Sequence, residues 1–122
     1  MSRLRSSTLA CALALALAAA VGAAKAAEVT FVLPIENGHL PPDKRLIRVK
    51  QNDVVKLQWS TDKPMTIHLH GYDIEKALAP GVMSEMTFAA RATGRFPVEP
   101  HIATQSGGHA HGDVLVTIEV YP

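Results

Sequence analysis

Cysteine is almost missing from this chain. Cys11 is the only one in 122 residues, and it lies within an apolar N-terminal run. Once that run is set aside, the chain can form no disulfide and no thiolate–metal bond. A lipid-bearing cysteine would follow the apolar core and have Leu three residues before it. Here Thr8 holds that place and the core comes after, so lipidation is rejected. Aromatic residues make up 5% of the chain, and no basic patch has aromatics interleaved with it, which excludes a nucleic-acid surface. No stretch beyond the N-terminal run shows a helical period. Gly-x-Ser-x-Gly, a phosphate-cradling glycine loop and a thiol nucleophile are all missing. Ser84 and Ser106 have no activating context, and the carboxylates are scattered without an acid–base pair. The expectation is a protein that is not an enzyme.

The N-terminal run has its own reading. Arg3 and Arg5 form a basic start, Leu9 to Ala24 is nearly all Ala and Leu, and Ala24-Lys25-Ala26 is a small-x-small cleavage pattern. Residues 1–26 are expected to be a secretory signal peptide, giving a periplasmic or secreted protein. A retained anchor is the alternative. The run is short for a spanning helix, which needs about 20 apolar residues. The formal charge of +1 turns slightly acidic once the basic start is removed. Residues 27–122 are expected to form a single domain, since about 95 residues suffice for one modest core and no repeat or linker divides them.

Period-two alternation then dominates. Glu28 to Leu33 reads as a first strand ended by Pro34, and Ile35 to Asp43 as loop. In Arg45 to Lys50, Ile47 and Val49 face inward. In Val54 to Ser60, Val55, Leu57 and Trp59 share the buried face. Further extended runs are Ile74–Leu78, Val82–Ala89 and Arg95–Glu99, the last stopped by Pro100. His101 to Gly112 reads as a Gly-, Ser- and His-rich loop, and Val114 to Tyr121 as a closing strand. About seven short strands separated by turn signals predict an all-β Greek-key sandwich.

The chemistry-bearing residues are histidines. In Ile67-His68-Leu69-His70-Gly71 the two rings fall on one face of a strand and the two aliphatic residues on the other. His101, His109 and His111 follow some thirty to forty residues later. Imidazole suits Cu(II), Zn(II) and Ni(II), with affinity rising towards copper. Glu99 or Asp73 could add an oxygen, although Asp73 reads first as a turn residue. Met83 and Met86 read first as core filling, and His39 as an ordinary loop residue. The histidine pair is equally the pattern of a polar strand face, and His109 and His111 that of a solvated loop.

Taken in order, these segments resemble the cupredoxin family. Arg48-x-Lys50-x-x-Asp53-Val54-Val55-x-Leu57 is similar to its second and third strands. Ala79-Pro80-Gly81, Met86-Thr87-Phe88 and Gly94-Arg95-Phe96-x-Val98 are similar to the approach to its metal loop. His68-Leu69-His70-Gly71 and Gly94-Arg95-Phe96-Pro97-Val98-Glu99-Pro100-His101-Ile102 resemble segments of multicopper oxidase domains. On that pattern His68, His70 and His101 coincide with copper ligands. Glu99 stands for a histidine ligand, Pro100 for the cysteine and Ala103 for the last histidine. The resemblance implies a cupredoxin-type sandwich whose two histidine groups meet at one end. It also implies that no blue-copper centre forms, because that centre requires a thiolate, and a multicopper oxidase is excluded because its clusters draw ligands from several domains.

Three functional readings follow. In the first, His68, His70, His101, His109 and His111 hold copper, Cu(II) ahead of zinc, in a type-2-like site for copper handling or tolerance. In the second, the sandwich binds no metal and engages a periplasmic protein partner. The third is a histidine pH sensor, which no particular feature favours.

Overall fold

The computed structural model describes residues 26–103 and 109–122. Among them are nine strands and one 3-10 turn, Pro42–Lys44. The strands are β1 (Glu28–Ile35), β2 (Leu46–Lys50), β3 (Val54–Thr61), β4 (Met65–Leu69), β5 (Ile74–Leu78), β6 (Ser84–Ala89), β7 (Gly94–Ala103), β8 (His109–His111) and β9 (Val116–Tyr121). They form two sheets, a small one ordered β1-β3-β6 and a large one ordered β2-β9-β7-β4-β5, with β8 paired to β7. The chain crosses between the sheets repeatedly, and the result is the all-β Greek-key sandwich that the alternation predicts.

The alternation also sets the core. In β3, Val55, Leu57 and Trp59 are buried, and Ile47 and Val49 point inward from β2. From the large sheet, Ile67 and Leu69 of β4, Val98 of β7 and Ile118 of β9, all fully buried, join Ile47 and Val49 in facing the β3 side chains. Each such side chain contributes about 1.5–3 kcal/mol over its exposed state.

Two expected proline stops do not occur. β1 runs through Pro34 to Ile35 because it is an edge strand, paired only to β3, and an edge position tolerates a missing donor. β7 runs through Pro97 and Pro100 although it lies inside the large sheet. The Pro97 carbonyl accepts from the His70 N–H at 3.0 Å, just past the end of β4, and the Pro100 carbonyl accepts from the Gly112 N–H at 2.9 Å. β7 pairs with β9 only up to Val98 and with β8 only from His101. Pro100 therefore falls where β7 changes partner, and no ladder bond requires its nitrogen. The expected loop from His101 to Gly112 is accordingly replaced at both ends by the β7–β8 pairing. The last strand begins at Val116 instead of Val114, and β6 begins at Ser84. Met86 is buried as expected, whereas Met83 precedes β6 and is 56% exposed, so it is not core.

Candidate metal centre

The histidine pair lies on the outer face of the large sheet. Ile67 and Leu69 point into the sandwich, so period two turns His68 the other way. On β7 the buried Val98 does the same for Glu99 and His101. The register then closes the site. His68 stands opposite Glu75 of β5 on one side and Glu99 of β7 on the other, while His101 stands opposite Thr66. The strand histidines and His101 do come together, and they do so on the outer face of the sheet, because the inward positions are filled by apolar core residues.

The rings are close. His68 and His70 have centroids 4.3 Å apart, and His68 meets His101 edge-on at 5.2 Å. Each histidine also faces a carboxylate. His68 Nε2 is 3.4 Å from Asp73 Oδ1, His101 Nδ1 is 3.5 Å from Glu75 Oε1, and His70 Nε2 is 3.1 Å from Glu99 Oε2. An ionised carboxylate only accepts, so in that contact Nε2 of His70 is the donor. Exposure is graded across the cluster: the His68 side chain is 16% accessible and the Asp73 side chain 94%. One ligand atom from each of His68, Glu75 and His101 lies within 4.8 Å of the other two.

Local structure holds this arrangement. Beyond β4 the chain turns through Gly71 and Asp73, both at positive φ. Tyr72 pins the turn. Its ring packs on Phe88 and Phe96, with centroids 4.8 Å away in each case, and its hydroxyl donates to the Ala92 carbonyl at 2.9 Å.

Of the five predicted ligands, His68, His70 and His101 converge. The backbone register sets His111 opposite His101 and His109 opposite Ala103, but the side chains of His109 and His111 lie outside the described residues. Asp73 sits in the turn, as expected, and also reaches His68. Sequence reading passes over Glu75. Its signal was available: a hairpin centred on Gly71-Tyr72 places position 75 opposite position 68.

No family model and no curated protein matches this sequence. Solved structures do match the fold. The chain is similar to a heme-copper terminal oxidase chain (TM-score 0.61, 15% identity, covering 80% of this chain and 66% of that one). It is similar to a copper binding protein in its apo form (0.60, 13%, 80% and 91%). It also matches the periplasmic domain of cytochrome oxidase subunit II of Bradyrhizobium japonicum (0.56, 16%, 76% and 83%). Multicopper oxidases match over less of their length; the chain spans 30% of the one from Pseudomonas thermotolerans. The fold is cupredoxin-like.

This cupredoxin-like domain carries no thiolate, and its donor set tests which ions fit. Two imidazoles and a carboxylate within one ion's reach suit borderline divalent cations such as Cu(II) and Zn(II), not a blue-copper centre. The outward flank is formed by Glu75, 56% accessible on the edge strand β5.

Proposed function

We propose that this domain binds a divalent metal ion, copper(II) ahead of zinc, as a non-catalytic copper-handling or copper-tolerance protein outside the cytoplasm. The observation that carries the proposal is the convergence of His68, Glu75 and His101 on one site. Those three residues would hold the ion. Bound Cu(II) would supply a nitrogen- and oxygen-ligated type-2 centre. Asp73 lies against the donor His68, the carboxylate–histidine arrangement that raises ligand basicity, and His70, paired with Glu99, packs beside the same His68 ring. Two further observations support the setting. The likeness includes a copper binding protein and a periplasmic domain, and no helix among the described residues is long and apolar enough to cross a membrane.

One observation favours the metal-free alternative of a protein-binding module. The seam between the edge strands β1 and β2 opens as a groove beside Val32 and Leu46, each 48% exposed.

Calorimetric titration with Cu(II), read in parallel by electron paramagnetic resonance, decides between them. One ion per chain with nitrogen hyperfine structure is expected. Loss of an orienting partner costs about 10–100-fold in affinity, so His68→Ala, Glu75→Gln and His101→Ala should each cost at least as much. Binding that ignores all three substitutions would sink the metal reading and leave the groove as the functional surface.

A further inference from the structure

Two carboxylates stand beside His68 in equivalent places. β4 lies between β5 and β7. The register sets Glu75 directly opposite His68 on one side and Glu99 directly opposite it on the other. Directly opposed residues on one face have Cβ atoms about 4.5–5.5 Å apart, and the two glutamates have side chains of the same length. Glu99 has a further advantage. It lies two residues before His101 on β7, so period two puts both on one face, whereas β4 separates Glu75 from His101. Backbone placement therefore favours Glu99 over Glu75 as oxygen donor to an ion held by His68 and His101.

The side chains are arranged the other way. A Glu75 oxygen joins one nitrogen of His68 and one of His101 within 4.8 Å, and Glu99 is not in that group. Glu99 turns to His70 instead, where its Oε2 accepts from Nε2 at 3.1 Å. His70 is well placed to hold it. The His70 backbone N–H donates to the Pro97 carbonyl of β7 at 3.0 Å, two residues before Glu99. The His70 ring lies against that of His68, with centroids 4.3 Å apart. Glu99 is also the more covered of the two glutamates, its side chain 19% accessible against 56% for Glu75. The carboxylate that stands nearer the ion's position along the backbone is thus the one bound to a third imidazole.

We infer that His70 is a positioning residue that holds Glu99 off the ion, so that the site offers two imidazoles and one carboxylate instead of two of each. The inference rests on the divalent reading and names what sets the donor count of that site. The resemblance to multicopper oxidase domains makes His70 a ligand; here it has a different task. The consequence is selectivity. Imidazole suits Cu(II), Zn(II) and Ni(II), whereas carboxylate oxygens suit harder ions such as Mn(II). A carboxylate kept out of the coordination shell tips the site towards copper. It also leaves Cu(II), which favours tetragonal surroundings, with a position for a ligand from outside the protein.

The test is parallel titration with Cu(II) and Mn(II), each read by chelator competition and by electron paramagnetic resonance. His70→Ala removes the ring and frees Glu99 from its bond. The ratio of Mn(II) to Cu(II) affinity should then rise about tenfold, the scale on which residues behind the ligands act. The Cu(II) spectrum should gain oxygen ligation while its nitrogen hyperfine structure is kept. His70→Gln retains an N–H donor for the carboxylate and should stay close to the native ratio. Glu99→Gln alone should cost less Cu(II) affinity than Glu75→Gln. His70→Ala combined with Glu99→Gln should show none of the gain. Circular dichroism confirms that each variant is folded. Loss of a nitrogen in His70→Ala would make His70 a ligand and overturn the inference. So would an unchanged affinity ratio in that variant, or a gain that survives the double substitution. Native Cu(II) binding that is lost in Glu75→Gln keeps the divalent reading even where the inference fails. A native protein that binds neither ion removes both.

Discussion

Gly71 shows how much a single position constrains the site. It follows His70, has φ +86°, and a Cβ built there would collide with the Phe96 ring. That ring cannot swing freely, because Tyr72 packs edge-on against it. A methyl group at position 71 meets both a left-handed backbone and an overpacked aromatic contact. Gly71→Ala is therefore expected to lower unfolding stability by about 1–3 kcal/mol, read as a shift in urea midpoint, and to displace the turn that carries Asp73. An unchanged midpoint would mean that Phe96 relaxes at no cost. At this scale the sequence was partly legible. His68 and His70 declare themselves by spacing, and Gly71 by its place between two strands. Glu75 does not, since its role depends on a hairpin register.

At the scale of strands, the instructive cases are those where a strong local signal loses to its neighbours. Pro34 and Pro100 both read as terminators, because a proline nitrogen cannot donate. Both are carried inside strands, one at an edge and one at a change of partner. The sequence shows the missing donor but not whether a partner needs it, which is a property of the sheet. The small sheet offers a cleaner electrostatic case. Lys56 of the central strand β3 reaches Glu28 of β1 at 3.0 Å and Glu85 of β6 at 4.0 Å. The hydrogen bond and charge of Glu28, then the charge of Glu85, hold its ammonium pKa above the usual 10.5. Because the folded value is the higher one, the contribution is fully present below pH 10.5 and is lost as pH rises through the folded pKa. Urea midpoints of the native protein and of Lys56→Met should differ by a constant amount through neutral pH and converge above pH 10.5. A difference that persists in strong alkali would assign the effect to packing of the lysine stem.

For the molecule as a whole, the sandwich was legible almost entirely from period-two alternation and turn residues, since burial of one face per strand leaves few other ways to close two sheets. The split of faces within β4 was legible too, but the partners that the sheet register would bring to the imidazoles were not. Resemblance to domains with a metal at one end suggested the same place here, yet Ile67, Leu69 and Val98 claim the inward positions and set His68, His70 and Glu99 on the opposite face. Residues 1–25, all but the last residue of the expected signal, lie outside the described residues, as do 104–108.

The open flank at Glu75 bears on the rate at which an ion would leave. A metal enclosed on all sides departs only after its own bonds break, so its release is indifferent to what waits outside. An ion held by His68, Glu75 and His101 could be approached from solvent past the accessible Glu75 and Asp73 carboxylates, and an incoming ligand could bind before the outgoing ones let go. Stopped-flow transfer of Cu(II) to a chelator is then expected to accelerate in proportion to chelator concentration. A rate that stays flat over a hundredfold range would indicate dissociation first. Associative exchange would suit a protein that passes its ion hand to hand, with little of it free in between.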